Sequence, residues 1–286
     1  MSSLEFVEPH SLQDALALLD HEDPAVRPVG GGTALMLMMK SQIYKPRRLV
    51  SLRHVGGRFS GFSLRPDGES FRIGAMTTFA ELEHSPEIRV RLPVISEAMK
   101  TLANVRVRNV ATVGGNLAHG DPHLDLPPIW VALDAKAVIV GSDGERVVPV
   151  DELFAGYYQT TLDNDELIAE LNVPVRPNWR SRYVKVTTRA AHDWPALGLS
   201  ISLDLDGRKV RDLRLVLSAA VDRPVRLTAA EVLLRGCEIE DTVLRRAGEA
   251  TVGEIHIESD SRGSADYKQH LLQVHLRRTI EAIAAE

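Results

Sequence analysis

The chain has 286 residues, enough for two or three subdomains, and its 44% hydrophobic and 26% charged content is that of an ordinary globular protein. A net charge of -5 and a pI near 6.1 exclude a general basic field for nucleic acid. The single cysteine, Cys237, excludes an internal disulfide and any iron–sulfur cluster held by the usual set of about four thiolates. The acidic N-terminus lacks a signal pattern and no apolar run reaches the roughly 20 residues of a membrane span, so a cytoplasmic protein is expected.

Ser11 and Asp14 make a helix start, with Leu12, Ala15, Leu16 and Leu19 following at helical spacing. Val26 to Val29 reads as a short strand ending at Gly30, and Thr33 is placed to cap an apolar helix from Ala34 to Lys40. A strand, glycine turn and helix start in that order expose free N–H groups to an anion. Arg48 to Leu52 reads as a second strand, and Phe62 to Leu64 with Phe71 to Ile73 form a hairpin around Pro66-Asp67-Gly68. Thr78 and Glu81 make a capping box, after which Ile88, Leu92, Ile95, Met99 and Leu102 carry helical turns.

Ala111 to Pro128, ATVGGNLAHGDPHLDLPP, reads as a sharp glycine loop followed by a proline stop. Gly114 and Gly115 let backbone approach an anion, Thr112 adds a hydroxyl and Asn116 an amide. Paired with Gly30-Gly31-Gly32-Thr33, this loop is expected to clamp a pyrophosphate, with Asp125 accepting from a ribose. His119, Asp121, His123 and Asp125 invite a metal reading, but the proline-broken run need not converge, and loop-fixing roles are preferred. Neither G-x-G-x-x-G with its acidic partner nor the G-x-x-x-x-G-K-[ST] of a P-loop occurs.

Ile129 to Leu133 reads as a core element, and Ala137 to Val140 with Val147 to Val150 as a hairpin about Ser142-Asp143-Gly144. Leu167 to Val175 alternates up to Pro174 and Pro177, where a domain boundary is expected, giving domains 1–177 and 178–286. Beyond it, Tyr183 to Thr188, Leu197 to Leu205 and Val210 to Leu217 read as a three-stranded sheet with an Asp206-Gly207 turn. Thr228 and Glu231 are expected to cap a helix that stops at Gly236, and a last helix starts at Ser264. The class is α+β. Lys185 to Pro195, KVTTRAAHDWP, leaves its strand with a cation, an Asp and an indole.

Gly30 to Thr33, Ala111 to Pro122 and Lys185 to Pro195 together resemble the FAD-binding medium subunit of the molybdenum hydroxylases, the group of carbon monoxide dehydrogenase and xanthine dehydrogenase. The resemblance covers nearly the whole chain. It implies a two-subdomain FAD-binding domain of the vanillyl-alcohol-oxidase (PCMH) type, followed by a small C-terminal domain with a three-stranded antiparallel sheet and helices. It implies pyrophosphate contacts from Val29, Gly30, Gly31, Gly32, Thr33, Ala34 and Leu35, and from Ala111, Thr112, Gly114, Gly115 and Asn116. Asp125 falls on the ribose side, Lys185 and Trp194 by the flavin, and Leu102 at a buried apolar contact. Molybdopterin and 2Fe-2S clusters are then expected only on a large and a small partner subunit in a dimer of heterotrimers, with NAD, a quinone or another external acceptor. A stand-alone flavin oxidase and a non-catalytic FAD module are the alternatives.

Overall fold

The protein was analysed as a computed structural model, which describes residues 4–286. Ser11 accepts a hydrogen bond from the Asp14 N–H and starts the helix Leu12–Leu18. Strands Glu5–Val7, Arg48–Ser51 and Val26–Val29 lie side by side in that order, all parallel. Parallel neighbours need crossover connections. The helices Leu12–Leu18 and Thr33–Lys40 supply them. Thr33 is the first residue of its helix and not its cap, because Gly32 adopts φ 68° and occupies the cap position without a side chain.

A five-stranded antiparallel sheet follows, in the spatial order Phe62–Leu64, Ser70–Gly74, Leu167–Pro174, Lys136–Gly141, Gly144–Pro149. Both expected hairpins join neighbours in it. Leu167–Pro174 is the central strand, and its proline sits at the strand end, where the missing N–H does least harm. The helical turns after Thr78 form three short helices, Phe79–His84, Pro86–Arg91 and Pro93–Ala98. Proline at the first position of the second and third explains the breaks. Both halves of the Thr78/Glu81 capping box are formed.

The C-terminal sheet runs Trp179–Val186, Leu197–Asp206, Lys209–Ser218, Val225–Arg226, antiparallel throughout. The three long strands are those expected, and a two-residue strand adds a fourth at the edge. Helices Thr228–Leu234 and Ala265–Ala284 pack on it, and Asp241–Glu254 packs against those two helices. Thr228 does not cap its helix: Leu227 holds that position, and Glu231 is instead buried, bonded to the Leu215 N–H at 2.9 Å and to Arg226. Among the described residues no helix is long and apolar enough to cross a membrane.

Two apolar clusters divide the interior, one spanning the first two sheets and one under the C-terminal sheet. The helix Leu126–Ala132 stands between them, with all seven residues buried. Pro127 and Pro128 are tolerated because N–H groups in a first helical turn have no partner within the helix. Burial of Leu126, Ile129 and Val131 contributes about 1.5–3 kcal/mol each. This helix therefore fixes how the C-terminal sheet sits on the rest.

Candidate functional site

The first glycine turn leaves Val29, the last residue of its parallel strand, and runs into the helix Thr33–Lys40. Among the described residues, none of the backbone N–H groups from Gly30 to Leu35 donates to a protein acceptor, the first such bond being Met36 N–H to Gly32 C=O at 2.9 Å. Six consecutive unpaired amides at a helix start form a strong anion cradle.

The second segment is not a loop. Gly114 and Gly115 lie inside the helix Val113–His119, which Thr112 caps by accepting from the Gly115 N–H at 3.2 Å and which Gly120 ends at φ 66°. Its amides are already used: Val113 N–H donates to Thr77 C=O, Gly114 N–H to Ala75 C=O and Asn116 N–H to Thr112 C=O. The two segments nevertheless meet as expected. A Cβ on Gly31 would stand 1.8 Å from the Val110 carbonyl oxygen, one on Gly30 2.7 Å from Thr112 Oγ1, and one on Gly114 2.5 Å from Ala75 Cβ. At Gly31 glycine is required because backbone packs on backbone, and at Gly30 and Gly114 because the Thr112 and Ala75 side chains fill the space. The first segment offers the donors, and the second forms the wall behind them.

Along this contact runs a groove lined by Arg27, Gly30, Met76, Thr112, Gly115 and Asn164 among others. Its cavity volume, ≈ 100 Å³, is below the about 300–1,000 Å³ of a pocket that encloses a ligand. A groove of that size takes the middle of an extended ligand laid along the surface. In the same helix Asn116 Oδ1 is buried and has no partner among the described residues. The free amides and the glycine cradle fit a dinucleotide pyrophosphate.

The far wall is tied to the parallel layer by His21, whose Nδ1 lies 3.1 Å from Asp165 Oδ1, and by Asn164, which donates to the His21 carbonyl at 2.9 Å. The bond to Asp165 and its charge raise the His21 pKa above 6.5. A histidine raised in this way stabilises the fold fully below its unfolded value and loses that contribution as pH rises through its folded value. An NMR titration is expected to place the wild-type His21 midpoint above that of Asp165→Asn. Equal midpoints would remove this tie across the groove.

The other expected contacts are distributed differently. Asp125 and Lys185 come together, Lys185 Nζ lying 2.9 Å from Asp125 Oδ2 and 3.0 Å from the Thr101 carbonyl, both side chains more than nine-tenths buried. Tyr183 donates to Asp125 Oδ1 at 2.8 Å. Burial pushes the Asp125 carboxyl up, an effect partly offset by Lys185 and Tyr183. Both carboxylate oxygens thus serve the junction with the C-terminal sheet, and a sugar hydroxyl has to compete with these two bonds. Leu102 is buried in the first core, beside the Thr101 carbonyl that holds Lys185.

Trp194 is half exposed and stacks on His123, ring centroids 5.6 Å apart at 15°, with Arg262 at 5.5 Å. It is thus held by the His119–Asp125 run and the C-terminal region, not by the glycine turns. His123 in turn donates its backbone N–H to Asp121 at 2.9 Å. Burial raises the Asp121 carboxyl, but the bonds from His123 outweigh it and the net shift is downward. These residues fix the loop. Sequence reasoning missed Arg27, Met76 and Asn164, which carry no motif of their own and reach the groove only through the tertiary fold.

A parallel βαβ unit with a row of open amides, walled by a second layer, defines a binding domain for an extended phosphate-bearing cofactor. The known proteins narrow this. The profile of the FAD binding domain in molybdopterin dehydrogenase matches residues 2–176, and that of the CO dehydrogenase flavoprotein C-terminal domain matches 182–283. The carbon monoxide dehydrogenase medium chain of Hydrogenophaga pseudoflava is 31% identical over 278 residues, 97% of this chain and 96% of that one. The nicotine 6-hydroxylase medium subunit of Paenarthrobacter nicotinovorans is 31% identical over 281 residues, covering 98% and 97%. A solved structure of the Hydrogenophaga pseudoflava carbon monoxide dehydrogenase, in a form lacking the Mo-pyranopterin moiety of the molybdenum cofactor, matches with a TM-score of 0.93 at 32% identity, covering 99% and 97%. The chain belongs to the FAD-binding medium subunits of the molybdenum hydroxylase family, and is an oxidoreductase flavoprotein subunit.

Proposed function

We propose that this chain is the electron-transfer subunit of a molybdenum-containing hydroxylase or dehydrogenase, receiving electrons from a partner's iron–sulfur clusters and delivering them to an external acceptor such as NAD or a quinone. The observation that carries this reading is the row of six unpaired amides from Gly30 to Leu35, whose first residue, Gly30, lines a groove sized for the middle of a dinucleotide. Bound FAD supplies the redox chemistry, and the protein supplies position and electrostatics.

Gly30, Gly31, Gly32, Thr33, Ala34 and Leu35 present their N–H groups to the pyrophosphate, and Val29 ends the strand that aims them. Ala111, Thr112, Gly114 and Gly115 form the wall, and Asn116 Oδ1 accepts from a hydroxyl or N–H of the cofactor. Asp125 and Lys185 hold the C-terminal sheet against this site and keep a cation at the junction. Molybdopterin and 2Fe-2S clusters are assigned to a large and a small partner subunit in a dimer of heterotrimers. The names of relatives as medium chains of carbon monoxide dehydrogenase and nicotine 6-hydroxylase support this division of labour. We divide the chain near Pro177, between the two profile matches and the two apolar clusters. A cytoplasmic location is supported by the lone cysteine.

Gly115→Val tests the wall. Gly115 is exposed, and a Cβ there meets only its own helix cap, Thr112 Oγ1, at 2.9 Å. The expected stability loss is that of a weakened cap, about 1 kcal/mol. The expected flavin content, read from visible absorbance per protein, falls to near zero because the added side chain stands in the groove. Wild-type flavin content in a folded Gly115→Val protein would contradict the assignment.

A further inference from the structure

At the opposite end of strand Trp179–Val186 from Lys185, a cavity of ≈ 180 Å³ opens between that strand, the short helices around Pro93 and the end of helix Leu126–Ala132. It is separate from the glycine groove and shares no lining residue with it. Leu92, Val94, Ala132, Leu133, Pro174 and Trp179 give it apolar and aromatic lining. The charged lining is Arg91, Arg176, Arg180, Arg182, Glu97 and Glu286.

Two of these arginines already have carboxylate partners. Arg182 Nε donates to Glu286 at 2.9 Å, and Arg176 pairs with Asp134 while lying 4.6 Å from the Trp179 ring. Arg180 donates one Nη to the Ile283 carbonyl at 3.1 Å and has no carboxylate partner among the described residues. Arg91 and Glu97 likewise form no ion pair among the described residues. Arg91 and Arg180 thus place two guanidiniums without a carboxylate partner among the described residues at the cavity. Arg91 comes from the helical layer and Arg180 from the C-terminal sheet, so the charge straddles the junction.

We propose that this junction cavity binds a small carboxylic acid carrying one ring, its carboxylate taken by Arg91 and Arg180 and its ring by the apolar lining. An arginine fork matches a carboxylate in plane and charge. A cavity of about 150 Å³ holds benzene, so this one, at ≈ 180 Å³, has room for a single ring. An occupant bridges the two layers and stabilises their junction by mass action. The site stands on its own residues and does not depend on the flavin assignment.

The probe is benzoate, titrated into the full chain by calorimetry and by the Trp179 indole N–H resonance, assigned with Trp179→Phe. Benzamide is the uncharged comparator and inorganic phosphate the comparator without a ring. The expected result is saturable benzoate binding at about 1 mM or tighter, with both comparators and Arg180→Ala weaker by about tenfold or more. Arg91→Ala is expected to weaken binding by a similar factor, and because the Arg91 side chain is exposed and makes no hydrogen bond or ion pair among the described residues, this variant stays informative if Arg180→Ala fails to fold. Absence of saturable benzoate binding, affinity unmoved by Arg91→Ala, or a comparator that binds as tightly as benzoate would overturn the proposal.

Discussion

Gly31→Ala is expected to abolish flavin retention and to destabilise the protein by about 3 kcal/mol or more. The reason is backbone geometry. An ideal Cβ at position 31 lies 1.8 Å from the Val110 carbonyl oxygen and 2.6 Å from its carbon, so neither neighbour is a side chain that can rotate away. The turn must then lift off the wall, and the amides from Gly30 to Leu35 lose their common aim. Denaturant midpoints at unchanged slope measure the stability loss, and visible absorbance measures the flavin. Gly56→Ala is the control, because nothing lies within 4 Å of a Cβ there and its φ of -85° suits any residue. That control is expected to stay within about 0.5 kcal/mol of wild type. A Gly31→Ala protein as stable and as yellow as the control would show that the two segments do not pack as described.

The second large effect lies at the domain junction. Removing the Asp125 carboxylate by Asp125→Ala leaves Lys185 Nζ buried with the Thr101 carbonyl as its remaining partner, and leaves the Tyr183 hydroxyl without its acceptor. Breaking a buried pair from one side costs about 3–5 kcal/mol, because the surviving charge is uncompensated. Replacing both, as Asp125→Leu with Lys185→Met, is expected to cost less than either single change, since no buried charge then remains. Denaturant unfolding of Asp125→Leu, Lys185→Met and the double variant forms a cycle that reads this coupling. Additive losses would mean that the pair does not act as a unit, and that Asp125 is free to serve a ligand instead.

Much of this architecture is visible in local sequence. Ser11 and Thr78 cap their helices as their spacing with Asp14 and Glu81 indicates, and Ser264 starts the last helix where expected. The hairpin turns at Pro66-Asp67-Gly68 and Ser142-Asp143-Gly144 are equally plain. What local pattern misreads is glycine used for packing. Gly114 and Gly115 suggest a turn, yet they sit inside a helix, where the missing side chain of Gly114 lets it lie against Ala75, and the signals that mark this helix are the Thr112 cap and the Gly120 stop. The helix Asp241–Glu254 escapes notice for a related reason: its buried stripe is Leu244, Ala247, Gly248 and Thr251, small residues with weak apolar contrast.

The site divides along the same line. The anion cradle at Gly30 to Leu35 follows from a strand, a glycine run and a helix start within a dozen residues, and all of that is local. The fate of Asp125 is not local. Its partners Tyr183 and Lys185 lie about sixty positions away in another sheet, and nothing in the segment Gly120 to Pro128 announces them. The far wall of the groove, with Asn164 and the His21–Asp165 tie, joins residues more than a hundred positions apart. Such pairings exist only once the layers have stacked, so a motif marks where phosphate binds more readily than where the rest of the cofactor is received.

The most direct test of the proposed function is to isolate the chain with the proteins that bind it and to measure flavin, molybdenum and iron together with substrate-driven flavin bleaching. We expect FAD, molybdenum and iron in one complex, with the flavin on this chain bleached by organic substrate only while the partner subunits are present. FAD on the isolated chain that is bleached directly by an organic substrate, with peroxide formed in air, would contradict the account and identify a self-sufficient oxidase.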